Sequence, residues 1–167
     1  LTRFSYPRDG GFGRIVEPLA ARVPRVSLGN GLARLDTRSR RLTLADGSVR
    51  RYGVLISTVP LPALVASATD APDDVRRAAA ELMWTSIRCV NLGVARPDVG
   101  PGHWVYFYDE AVPFFRISFP SKFAPGTAPD GQGSISCEIA YSRRRPLAEE
   151  NLVERVVSAL RETGSTQ

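Results

Sequence analysis

The dipeptide Asp46-Gly47 is the feature that most narrows how this chain folds. It separates two short runs of alternating apolar and polar residues, Arg41-Leu42-Thr43-Leu44 and Ser48-Val49-Arg50-Arg51-Tyr52. An Asp-Gly pair between such runs predicts a tight β-hairpin, because both central residues of the favoured turn need positive φ. Leu32-Ala33-Arg34-Leu35-Asp36 and Arg25-Val26-Ser27-Leu28 alternate in the same way upstream, so the region predicts a β-meander. Immediately after it, Val54-Leu55-Ile56-Ser57-Thr58-Val59 is almost continuously apolar and ends at Pro60. That pattern predicts a strand buried on both faces, as inside a parallel sheet.

Helical spacing of Ile15, Val16, Leu19 and Ala20 after the Gly10-Gly11-Phe12-Gly13 turn predicts a short helix over residues 13–22. A helix follows Pro60, and another over 73–83 starts with two aspartates where the helix dipole favours them. Strands are expected over 85–95 and 134–141, with a hairpin joining 104–108 to 114–119 across Asp109-Glu110. An amphipathic helix is expected over 146–162 with Pro146 at its entry. The fold class is α+β: a mixed or antiparallel sheet flanked by helices, plus a small meander. The Pro/Gly-rich stretches 99–102 and 124–131 are loops between strands, since strand patterns resume promptly after each. The organisation divides at residue 60, with the meander in 1–60 and the larger sheet in 61–167.

Composition excludes several classes. At 167 residues the chain holds one domain with a substantial core and little more. No apolar run approaches the roughly 18 residues of a membrane-spanning helix. The net charge of +5 is almost all arginine, Lys122 being the only lysine. Its basic clusters, 38–41, 50–51 and 143–145, lie beside turns as solvated loops, so no nucleic-acid partner is expected. Cys89 and Cys137 sit in apolar segments without CxxC spacing, and His103 is the only histidine. This excludes a zinc site of usual spacing and a Ser-His-Asp or Cys-His triad, so neither a metal ligand nor a catalytic nucleophile is assigned. Both cysteines are expected buried and reduced, as in a cytoplasmic protein. Leu1 opens the sequence without an initiator Met or a charged-then-apolar leader, as in a piece of a longer polypeptide.

The densest chemistry lies in His103-Trp104-Val105-Tyr106-Phe107-Tyr108 and Phe114-Phe115-Arg116-Ile117-Ser118. Alternation puts Trp104, Tyr106 and Tyr108 on one face and Val105 and Phe107 on the other. Arg116 stands between apolar strand residues, where an unpaired guanidinium is costly. Two partners satisfy it: an internal carboxylate, Glu138 or Asp109, or an anionic ligand matched to its planar donor fork. Trp104 and Tyr106 likewise suit either the core or an aromatic-lined pocket. The Gly10–Gly13 turn lacks the preceding strand and following lysine of a phosphate cradle.

Phe4-Ser5-Tyr6-Pro7-Arg8-Asp9-Gly10-Gly11-Phe12-Gly13-Arg14-Ile15 resembles a stretch of the flavin-dependent amine oxidase and protoporphyrinogen oxidase superfamily. Asp46-Gly47 followed by 52–61 is similar to another. Trp104–Phe107, Pro113–Arg116, Pro120–Pro125 and Ser134–Glu138 resemble, in order and spacing, the UDP-galactopyranose mutases. Arg14 and Tyr108 depart from the mutase pattern, which carries glycine and proline there. The resemblance implies an FAD-dependent parent in which a sugar ring opens and recloses, with Arg116 and Tyr106 holding the substrate diphosphate. It places Trp104 in the same pocket and Leu32 against the FAD adenine. Because the superfamily's GxGxxG unit is not in the sequence, the resemblance implies a substrate-domain piece that neither binds FAD tightly nor turns over by itself. Such a piece exposes apolar surface through which it is expected to form a homodimer. An amine, porphyrinogen or polyene oxidase of the same superfamily is the first alternative; a non-catalytic binding module is the second.

Overall fold

The computed structural model describes residues 4–164 and is α+β, with two antiparallel sheets flanked by helices. The chain forms two compact units: one is Pro24–Met83, and the other joins the chain up to Val23 to the chain from Trp84 onward. Among the described residues no helix is long and apolar enough to cross a membrane.

In the unit Pro24–Met83, β1 (Leu32–Asp36), β2 (Arg41–Leu44) and β3 (Val49–Arg51) form the expected meander in that order. The turn between β2 and β3 falls where Asp46-Gly47 predicts it but is one residue longer than the two-residue form. Of that pair only the glycine has positive φ, and its N–H donates to the Leu44 carbonyl at 2.9 Å, so Ala45-Asp46-Gly47 make a three-residue loop. Gly47 takes φ +82, and the Ser48 N–H donates to Asp46 Oδ1 at 2.8 Å. Asn30 closes the other side by donating to the Asp46 carboxylate and accepting its N–H. Two helices follow, α2 (Leu61–Ser67) and α3 (Asp73–Glu81). They attach to β1 where Leu35, buried, bridges to Ala68 and accepts the Thr69 N–H at 2.8 Å.

Two expectations fail in this unit. Residues 25–28 and 54–59 form no strand, and Leu28, Val54 and Ile56 are each more than four-fifths exposed. A strand buried on both faces needs hydrogen-bonded neighbours and covering layers, and among the described residues nothing pairs with these runs. Apolar patterning records the burial a segment is suited to, whereas the ladder depends on partners.

The other unit opens with α1 (Gly13–Ala20), ending two residues before the expected limit. Its sheet has the order β4-β7-β6-β5, from β4 (Ser86–Val94), β5 (Trp104–Tyr106), β6 (Arg116–Ser118) and β7 (Gly133–Tyr141). One face carries Val90, Ile117, Ile135, Cys137 and Ile139, which pack with Phe114, Phe119 and Val99. Val156, Ala159 and Leu160 of the terminal helix α5 (Leu152–Glu162) complete this core. The helix starts later than its pattern suggests because Asn151 takes φ +48, a left-handed turn that an advancing helix does not contain. A short helix α4 (Pro120–Phe123) follows β6; the backbone N–H groups of Ser121 and Ser134 each donate to the other's hydroxyl at 3.1 Å.

The cysteines divide between the faces. Cys137 is buried, and burial pushes its thiol up to about 12. Cys89 is exposed, against expectation: it pairs in register with Glu138, which lies on the opposite face from Cys137.

Two consequences are measurable. A methyl group on Gly133 would strike Val99 Cγ1 and lie 2.8 Å from the Arg96 carbonyl oxygen. Gly133→Ala is therefore expected to cost about 1–3 kcal/mol in a chemical unfolding experiment. In the meander unit, Asp70 accepts the Thr37 hydroxyl at 2.6 Å and the Thr37 and Arg38 N–H groups at 3.0 Å. Led by the Thr37 hydroxyl, these bonds hold its carboxyl down from 3.8 to about 2. A carboxyl whose folded value is depressed stabilises the fold above its unfolded value, and that contribution disappears as pH falls through the folded value. Asp70→Asn is thus expected to lower the urea midpoint near neutral pH, with the gap to the unsubstituted chain closing between about pH 4 and pH 2.

Candidate functional site

The sheet face opposite the core is assembled from two cross-strand rows. In the first, Tyr106 of β5 faces Arg116 of β6, which faces Glu138 of β7, which faces Cys89 of β4. In the second, Trp104, Ser118, Ser136 and Asn91 stand in the same order. Their strand neighbours Val105, Ile117, Cys137 and Val90 point into or pack against the core. The same two-residue period that builds the core therefore sets these polar and aromatic side chains side by side.

Arg116 is fixed by both of its strand neighbours. Its Nε donates to Glu138 Oε1 at 2.9 Å and its Nη2 to Glu138 Oε2 at 2.7 Å. Its Nη1 donates to the Tyr106 hydroxyl at 3.2 Å. The guanidinium carbon also lies 5.7 Å from the centre of the Tyr106 ring and 5.9 Å from that of Phe115. The Tyr106 hydroxyl, and then Glu138, raise the arginine's pKa above its ordinary value. Of the two carboxylates the sequence offers, Glu138 is the partner; Asp109 instead accepts the Ala111 N–H at 2.9 Å in its own turn. The Glu138 side chain is only 11% exposed, against 36% for Arg116, so the pair has a buried acid and an accessible base.

Beside this pair lies an open cavity of about 310 Å³ lined by Tyr6, Trp104, Arg116, Ser118, Pro120 and Phe123. Its wall is an aromatic cluster. Trp104 stacks on Phe123 at 5.9 Å and 10°, and Tyr6 lies 5.1 Å from Phe123. Phe4 packs edge-on against His103 at 5.1 Å and tilts over Trp104 at 5.3 Å. Phe123 is carried by α4, where the Lys122 ammonium binds the Gly100 carbonyl and lies 3.3 Å from Asp98. One cavity thus offers flat apolar faces for a ring and one guanidinium edge for an oxyanion or carbonyl.

Trp104, Tyr106 and Arg116 are therefore neighbours on one face. Leu32 belongs to the other unit, at the half-exposed start of β1 opposite Leu44. Sequence reasoning did not single out Tyr6, Ser118 or Phe123 for the site. Ser118 was within reach through its two-residue offset from Arg116; Tyr6 and Phe123 meet only in the folded unit. Among the described residues no group of acidic, histidine or cysteine side chains is placed to hold a metal ion.

Residues 2–165 match the family model of the flavin containing amine oxidoreductases. The chain belongs to that family. The fold is similar to a crystal structure of reduced UDP-galactopyranose mutase, with a TM-score of 0.85 and 23% identity over 95% of this chain. A second similar structure is the PF1083 protein from Pyrococcus furiosus, with a TM-score of 0.62 and 15% identity over 83% of this chain. The chain spans 37% of the mutase and 35% of the archaeal protein. At these identities the likeness is one of fold.

If Phe123 holds the aromatic wall together, Phe123→Ala is expected to lower stability by about 1–2 kcal/mol, less than for a fully buried ring. In a Trp84→Phe background it is also expected to shift Trp104 fluorescence to longer wavelength. An unshifted spectrum would mean that Trp104 is shielded without Phe123.

Proposed function

We propose that this chain supplies the substrate-facing part of a flavoprotein related to the UDP-galactopyranose mutases, and that its aromatic cavity receives a nucleotide sugar. The observation that carries this reading is the Nη1 edge of Arg116, held with the Tyr106 hydroxyl beside a cavity walled by Trp104, Tyr6 and Phe123. A diphosphate oxygen accepts from the guanidinium and from the phenol, while a flat ring lies on the aromatic wall. The protein's contribution is then orientation, directed hydrogen bonding and partial exclusion of water.

The cofactor in this proposal is FAD, which when bound supplies the bond-making or redox chemistry. The described residues fit it in part. Leu32, half-exposed at the start of the meander, offers an apolar contact for the adenine. The Gly10–Gly13 turn is not built as a pyrophosphate cradle, because among the described residues no strand leads into it. The pyrophosphate then falls to other residues of the proposed flavoprotein.

The test uses the full-length protein that contains this sequence. Purified and reduced anaerobically, it is expected to show flavin absorbance and to convert UDP-galactopyranose to the furanose isomer. Arg116→Ala is expected to weaken UDP binding by roughly 10- to 100-fold, the size of a hydrogen bond to a charged group. Flavin with no isomerisation would point to an amine-oxidase type of substrate, and unchanged UDP affinity in Arg116→Ala would remove Arg116 from the site.

A further inference from the structure

We propose that Glu138 is the positioning residue of this site. It acts through Arg116, and it makes the cavity select ligands by directed hydrogen bonds more than by net charge. The inference rests on the reading that Arg116 meets the ligand, and deepens it.

The argument begins with the geometry of the guanidinium. A free arginine side chain turns about several bonds and offers its donors in many directions, with a large rotamer entropy to lose on binding. Here two of its three nitrogens already meet Glu138, Nε at Oε1 and Nη2 at both carboxylate oxygens, 2.6 Å from Oε1 and 2.7 Å from Oε2. The plane of the fork is thereby set before any ligand arrives. Nη1 alone remains outside the carboxylate, with one of its hydrogens on the Tyr106 hydroxyl. No acceptor among the described residues takes the other. Glu138 can act as the fixed member because it is nearly buried and belongs to β7, which is held to β4 over nine residue pairs, whereas β6 has three pairs on each side.

Charge supports the same conclusion. A buried carboxylate in bidentate contact cancels most of the field of Arg116, and among the described residues no other cationic side chain lines the cavity. Long-range attraction to an anion is therefore weak, leaving one oriented donor edge and one phenol to recognise oxygen atoms.

Glu138→Ala, Glu138→Gln and Arg116→Ala in the full-length protein, and the Glu138→Gln/Arg116→Ala double variant, test this with UDP as the probe in titration calorimetry. Glu138→Ala is expected to weaken UDP about tenfold or more, and Glu138→Gln, which preserves volume if the alanine variant folds poorly, less but measurably. In the Arg116→Ala background, Glu138→Gln is expected to cause no further loss, because a residue acting through another has no effect once that other is gone. Affinity unchanged or improved in Glu138→Gln, or a loss that persists without Arg116, would overturn the proposal. A second readout does not need UDP. The Arg116 Nε–H resonance in 15N-labelled protein is expected to be sharp and slow to exchange, and to lose that protection in both Glu138 variants. Unchanged protection would overturn the clamp itself. Failure of the unsubstituted protein to bind UDP would instead reject the nucleotide-sugar reading and leave the resonance to judge the clamp.

Discussion

The antiparallel ladder between β4 and β7 is the constraint on which the larger unit depends. Both strands are nine residues long, and they pair in unbroken register from Ser86–Tyr141 to Val94–Gly133. An unbroken register fixes which face every side chain takes, since a slip of one residue would exchange the two faces entirely. With β7 so held, β6 and β5 are added on its other edge, and alternation does the rest. Ile135, Cys137 and Ile139 go to the core while Ser136 and Glu138 go to the opposite face. Core and site are thus two sides of one hydrogen-bonding pattern.

The Arg116–Glu138 pair is a costly way to fill a sheet position. Removing both charges from water consumes most of what their attraction returns, and two apolar residues of similar volume would often stabilise the sheet as well or better. Here the cost is moderated, because the arginine keeps some solvent contact and a third hydrogen bond from Nη1 to Tyr106. The neighbouring row, Trp104 with Ser118 and Ser136, carries no such expense. The sheet therefore concentrates its electrostatic expense at one position, beside its aromatic cavity.

Local chemistry made much of this legible in the sequence. Asp46-Gly47 specifies its own turn, and the alternation through Trp104–Tyr106 and Arg116–Ser118 contains both the hairpin and the shared face. The motif resemblance pointed to the family that the match over residues 2–165 establishes. What escaped the sequence was set by partners. The 54–59 run has the composition of an interior strand but no neighbour to bond with among the described residues. Asn151 delays the start of the last helix through a backbone angle that its apolar period does not record. Glu138, Asp109 or a ligand each satisfied the arithmetic for Arg116, and it takes the strand register with the side-chain hydrogen bonds to show that Glu138 occupies one side of the fork. Tyr6 and Phe123 are far apart in the chain, so no local pattern announces their contact.

The division of the two cysteines has a practical side. At neutral pH the Cys137 thiol is sealed in the core and almost wholly protonated, since burial holds it near 12. Cys89 stands in the open at the far end of the row that runs through Glu138 and Arg116 to Tyr106. Alkylating dyes and spin labels thus have a single accessible anchor among the described residues, and nature has put it on the face that carries the cavity. The fold comes with its own attachment point for a distance ruler laid across the sheet.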